Sequence, residues 1–132
     1  VLCVSVEKFS FNLDRDRALL TVVMSDFWDM ATVKEYALRV TEQLRELKRL
    51  GRPTACLVDV REHSVQPKAV TDYQQKIVAE LGPLHADRVA IVASSALLRI
   101  QTQRICAQRP HLVFDAIEPA LAWLLGERAE VV

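Results

Sequence analysis

The sequence predicts an α/β domain: one small, mixed and mostly parallel sheet of about five strands with about four helices, in the order β-β-α-β-α-β-α-β-α. Three observations carry that prediction. Thr54 to Val60 and Val89 to Ala93 are almost continuously apolar, as strands covered on both faces are. Between and after them, apolar residues return at steps of three and four, the period of a helix with one buried face. Ahead of them, two apolar segments flank a charged tetrad, which is a hairpin pattern.

The elements follow in order. Residues from about Leu2 to Leu13 alternate weakly, Asp14-Arg15-Asp16-Arg17 supplies a polar turn, and Ala18 to Met24 forms the second strand, closed by Ser25-Asp26-Phe27-Trp28-Asp29. From Met30 to Leu50, Val33, Ala37, Val40, Leu44 and Leu47 define one face of a long helix. Thr32-Val33-Lys34-Glu35 has capping-box spacing, Asp29 competes as the cap, and Gly51 with Pro53 stops the helix. Thr54 to Val60 is the third strand. A helix from about Pro67 to Leu81 turns Val70, Tyr73, Ile77 and Leu81 inward and ends at Gly82-Pro83. Val89 to Ala93 is the fourth strand, and Ser94-Ser95 caps a helix running to about Gln108. His111 to Phe114 is the fifth strand. Asp115-Ala116-Ile117-Glu118 repeats the capping-box spacing ahead of a last helix carrying Leu121, Trp123, Leu124 and Leu125 to Gly126.

A chain of 132 residues fits one domain, spanning 1–132. A domain of this size buries roughly two-thirds of the surface its unfolded chain exposes and needs no staple. Seventeen basic residues balance seventeen acidic ones. The resulting electrostatic pull toward nucleic acid or anionic membrane is weak, so neither is an expected partner. Near-neutral charge with half of the residues apolar favours self-association, and a homodimer is expected. Cys3, Cys56 and Cys106 are widely spaced and fit small buried hydrophobes. An odd cysteine count without a secretory leader predicts a reducing, cytoplasmic setting. No run reaches the ~18 apolar residues of a membrane span, so no membrane insertion is expected.

In such a sheet, ligands bind where the loops leave the carboxyl ends of the parallel strands. Those loops carry Asp59, Arg61 and His63, then Ser94 and Ser95, then Asp115. Serine hydrolysis needs a glycine-flanked elbow, and Val92-Ala93-Ser94-Ser95-Ala96 has no glycine, so helix capping accounts for the serines. Gly51, Gly82 and Gly126 all sit at helix ends, leaving no glycine-rich phosphate cradle and no expected cofactor. His63, His85 and His111 lack close ligand partners in sequence, so no metal is expected. Asp59 and Asp115 read as a turn acceptor and a helix cap. The functional alternative pairs Asp59 with His63 as acid and base. Arg99, Gln103, Arg104, Gln108 and Arg109 form a solvated basic face without interleaved aromatics, with partner or anion binding the alternative. Trp28, beside Phe27, closes the core or anchors a dimer seam.

Phe27-Trp28-Asp29-Met30 before the long helix, Leu57-Val58-Asp59-Val60-Arg61 on a central strand, Arg88 to Val92, and Val113-Phe114-Asp115 through Ala120-Leu121-Ala122-Trp123-Leu124 together resemble the SpoIIAA-like proteins of the STAS superfamily, related to anti-sigma-factor antagonists. The resemblance covers almost the whole chain. It implies a non-enzymatic regulatory module that binds a protein partner. In the antagonists a phosphorylated Ser or Thr opens the helix after the central strand, where added charge changes docking. Here Pro67-Lys68-Ala69 stands at that place, with no hydroxyl and a reversed charge, so the phospho-switch is expected to be missing. The candidate partner or ligand surface is therefore Trp28, Asp59, Arg61, His63, Lys68, Ser94 and Ser95, with no catalytic residue assigned. SpoIIAA-like proteins are also similar in architecture to lipid-carrying CRAL-TRIO domains. The alternative expectation is thus a small apolar ligand or lipid held between helices and sheet.

Overall fold

Strand pairing follows chain order. In the computed structural model, which describes residues 8–107 and 109–126, β1 (Phe9–Asp14) pairs antiparallel with β2 (Leu19–Asp26). Then β2 pairs parallel with β3 (Ala55–His63), β3 with β4 (Arg88–Val92), and β4 with β5 (Leu112–Phe114). The charged tetrad makes the hairpin turn as expected, with Asp14 accepting from the Arg17 N–H at 3.1 Å and from Arg17 Nε at 2.7 Å. Cys3, Gln108 and the first part of the predicted first strand lie outside the described residues.

Every parallel connection steps to the adjacent strand in the same direction. A constant crossover hand then puts α1 (Met30–Lys48), α2 (Lys68–Leu81) and α3 (Ala96–Ile105) on one face of the sheet. Their core side chains, Val33, Val40, Leu44, Val70, Ile77 and Leu98, pack with Leu20, Val22, Cys56, Val60 and Ile91 from the strands. After β5 the chain crosses to the opposite face. There α4 (Ile117–Leu121) and a π-helical turn (Ala122–Gly126) set Ala120 and Leu124 on Leu19, Ala55, Leu57, Ala90 and Val92.

The helix starts resolve the competing caps. Asp29 caps α1, its Oδ1 accepting from both the Thr32 N–H and the Thr32 hydroxyl at 2.8 Å. Ser95 caps α3, accepting from the Leu98 N–H at 3.1 Å. Asp115 does not cap α4: the N-cap is Ala116, without a side-chain bond. Within α1 the second buried position is Tyr36 rather than Ala37, because the buried stripe follows 33, 36, 40, 44 and 47. In α2, Gln74 is buried with Val70 and Ile77, a place where an apolar side chain is expected.

Candidate functional site

The stretch after Val60 is strand, not turn. β3 runs on to His63, and its pairing with β2 passes from Val23↔Asp59 to Ser25↔Glu62, so β3 carries one extra residue there. A bulge inverts the in-out alternation beyond it. Asp59 shares the face of Ala55 and Leu57, whereas His63 rejoins the face of Val58 and Val60. The acid/base pairing of Asp59 with His63 is thereby broken by the sheet itself.

Asp59 is committed elsewhere. Its Oδ1 accepts from the Arg61 N–H at 3.1 Å and from Arg61 Nε at 3.0 Å, and its Oδ2 accepts from Arg61 Nη2 at 2.9 Å. Burial opposes ionisation of Asp59, but the hydrogen bonds and charge of Arg61 outweigh it and hold the carboxyl below its ordinary value. Asp59 is a fixed anion and Arg61 its clamp.

His63 is buried at 9% exposure, with its ring 4.8 Å from that of Trp28 in an edge-on contact. Burial pushes its pKa down to about 4 against the weaker pull of the Ser25 and Asp26 backbone, so the imidazole is neutral at neutral pH. Trp28 is 2% exposed, with its Nε1 donating to the Ser25 carbonyl at 3.0 Å. It packs on Tyr36 and Phe9 at centroid distances of 5.0 and 5.7 Å. Trp28, Asp59 and His63 are therefore too buried to form the partner-facing surface expected of them. Phe27, at 59% exposure, takes the outward position beside Trp28.

Gln66 organises this end of the molecule. Its Oε1 accepts from the Trp28 N–H at 2.7 Å, and its Nε2 donates to the Asp26 and Ser64 carbonyls at 2.9 and 2.7 Å. Its backbone N–H donates to Gln101 Oε1 at 2.9 Å, and Gln101 Nε2 returns a bond to the Gln66 carbonyl at 3.1 Å. Three chain segments are thus fastened together: the end of β2, the β3–α2 loop and α3. Gln66, buried and immediately before a proline, has no hydrophobic or motif signal in the sequence. The fastened segments present Phe27, Val65, Leu97 and Ile100 to solvent.

The remaining predicted residues frame the same edge. Lys68 opens α2 behind Pro67, which makes no side-chain cap, and its Nζ pairs with Asp72 at 2.8 Å in the open. Lys68 also lines a polar groove with Thr71, Gln75, Gln101 and Arg104, between α2 and α3. Ser94 and Ser95 are exposed, Ser95 serving as the α3 cap.

Beneath the three helices, against the sheet, lies a cavity of about 110 Å³. Its walls include Val22, Tyr36, Val40, Val60, Ile77 and Ile91. Cys56 and Cys106 also line it, both kept as thiols because burial pushes their pKa values up to about 12 and about 11. At the carboxyl end of the strands the lining includes His63, and at the amino end His85, Arg109 and His111. Among the described residues, two buried side-chain atoms lack a hydrogen-bond partner: His63 Nε2 and Gln74 Oε1. Both residues line this cavity. No group of three or more His, Cys, Asp or Glu side chains able to hold a metal ion occurs among the described residues. Nor is any helix among them long and apolar enough to cross a membrane.

No family model matches the sequence, and no curated protein matches it. Solved structures do match its shape. An uncharacterised DUF3478 protein with a SpoIIAA-like fold from Shewanella loihica PV-4 superposes with a TM-score of 0.68 at 17% identity, over 94% of this chain and 99% of that one. The fold is SpoIIAA-like. The anti-sigma factor antagonist SpoIIAA in its unphosphorylated form matches at a TM-score of 0.58 and 14% identity, over 94% and 99% of the two chains. An anti-sigma factor antagonist from Mycobacterium paratuberculosis matches at 0.52 and 13%, over 92% and 98%. The SpoIIAA-like fold expected from the sequence is the one observed, across nearly the full length of each chain.

Proposed function

We propose that this chain is a non-enzymatic, cytoplasmic regulatory or protein-interaction module of the SpoIIAA-like type, docking a protein partner at the carboxyl edge of its sheet. The observation that carries this reading is the exposed apolar rim of Phe27, Val65, Leu97 and Ile100, held on three segments that Gln66 and Gln101 lock together. Large apolar side chains grouped on a rigid frame are what an interface core requires. Two of the similar structures are named as antagonists of an anti-sigma factor, a role exercised on another protein. On this reading docking is not controlled by phosphate at the start of α2, since Pro67, Lys68 and Ala69 carry no hydroxyl. The same rim, with near-zero net charge, supports homodimerisation.

The test uses the protein and its Leu97→Glu, Ile100→Glu double variant as baits in extract from the source cells, with captured proteins quantified by mass spectrometry. The reading expects one partner to fall by about tenfold or more with the variant, the scale of a lost apolar hot spot. Sedimentation velocity in parallel shows whether that partner is a second copy. Unchanged capture and unchanged sedimentation together reject the rim as an interface. A second reading, a small apolar ligand held between helices and sheet, is favoured by the cavity that His63 and Gln74 line.

A further inference from the structure

From this cavity we infer a binding site for a compact, uncharged molecule with an apolar body and one hydroxyl group, such as a simple phenol, anchored by His63 Nε2 and Gln74 Oε1. The inference rests on the second reading above and gives it a ligand class.

Size comes first. An engineered apolar cavity of about 150 Å³ stays dry and binds benzene, and a water takes about 30 Å³ of liquid volume. A void of about 110 Å³ therefore suits a single small ring or a short branched chain. That volume does not hold a whole lipid tail, so a small ring fits it better.

Polarity comes second. Gln74 is 6% exposed and His63 9%, and each carries a buried atom without a partner. An unpaired buried polar group is costly, so folding retains here two groups that a ligand can relieve. Oε1 is an acceptor only. Nε2 of the neutral imidazole is a donor in one tautomer and an acceptor in the other. A hydroxyl both donates and accepts, so it pairs with either group in either tautomer, whereas a hydrocarbon leaves both unpaired. Neutral His63 gives no charge to attract a carboxylate at that end of the cavity. The cation that lines the cavity, Arg109, stands at the opposite end of the strands, where it supplies the competing anchor for an acid.

The test titrates the intact protein at pH 7.5 with phenol, toluene and benzoate, reading backbone amide and methyl shifts by NMR, and repeats the titrations on Gln74→Leu and His63→Leu. The expected result is shifts confined to cavity-lining residues, with phenol bound about tenfold more tightly than toluene, the scale of one buried hydrogen bond. Benzoate is expected to bind more weakly than phenol. That preference for phenol over toluene is expected to disappear in Gln74→Leu, which supplies an independent variant should His63→Leu fail to fold. Equal binding of phenol and toluene overturns the hydroxyl anchor and leaves the apolar cavity standing. Preference for benzoate overturns it in favour of an acid held by Arg109. No cavity shifts with any probe overturn both the anchor and the ligand-binding reading beneath it.

Discussion

On one side of the sheet, Ala55, Ala90 and Ala120 are completely buried among Leu19, Leu57, Val92 and Leu124. On the other, three much longer helices cover the strands, yet they leave a void of about 110 Å³ and two unpaired polar atoms. The difference lies in side-chain size and chemistry rather than in the amount of covering helix. Small residues from β3, β4 and α4 let a short helix settle against the strands. Across the sheet, Tyr36 projects from α1 into an aromatic cluster with Phe9, Phe11 and Trp28, and Gln74 projects from α2 toward aliphatic strands that offer it no polar partner for Oε1. One face fixes the scaffold, and the other keeps room between its layers.

The largest break in that contrast comes from removing a keystone of the dense face. Leu124 is fully buried on the π-helical turn, against the strands. Leu124→Ala is expected to lower unfolding free energy by about 3 to 4 kcal/mol, because a well-packed site relaxes little around a new cavity. Urea denaturation followed by circular dichroism checks it. A loss below about 1 kcal/mol would show that the short helix is loosely seated after all.

Acid probes the open face next. His63 has a pKa depressed by burial to about 4 from an ordinary 6.5. Above 6.5 the ring is neutral in both folded and unfolded chains and pH has no effect through it. Below 6.5 the unfolded chain takes up the proton while the folded one does not. Stability therefore falls as pH drops from 6.5 toward 4, and levels off once the folded ring also protonates. Each tenfold difference in proton affinity between the two states is worth about 1.4 kcal/mol, so the full loss is about 3 kcal/mol. His85 titrates in the same direction, also through burial, so the measurement is the difference between the protein and His63→Leu across that window. Parallel stability curves from pH 7 to 4 would mean the ring is better solvated than its surroundings imply.

How much of this the residues announced depends on what kind of signal placed them. The strand cores, the long helix and its stops are legible because apolar period and glycine or proline punctuation are local properties. The site is not local. Plain alternation along β3 puts residues 59, 61 and 63 on one face, and only the extra residue in the pairing with β2 separates Asp59 from His63. A bulge depends on the neighbouring strand, which is why Asp59 and His63 look like partners in the sequence and are not. Gln66 and Gln74 are likewise silent: glutamine before a proline reads as loop, and glutamine within a helix reads as a solvated position. Their burial follows from Trp28, Asp26 and Gln101 arriving from distant segments at Gln66, and from α2 lying over the cavity at Gln74. Phe27 and Trp28 are adjacent and chemically alike, so the sequence cannot say which points inward. The Nε1 bond to the Ser25 carbonyl and the ring contacts with Phe9 and Tyr36 decide it for Trp28.

The smallest effect makes the sharpest comparison, because one methylene added to each face should change stability in opposite directions. Val40 lines the cavity and Val92 is fully buried on the dense face. Val40→Ile extends into empty space beside apolar neighbours, so it is expected to stabilise by up to about 0.8 kcal/mol, the transfer free energy of one buried methylene. Val92→Ile must push against Ala120 or Leu124 and is expected to destabilise by about 1 to 3 kcal/mol. Paired chemical denaturation resolves changes of this size when the slopes agree. Two losses of equal size would mean that the void closes in solution and that both faces are packed alike. Opposite signs would confirm usable space under the helices. Val40→Ile should then also weaken phenol binding, because the added methylene occupies the volume that the ring needs.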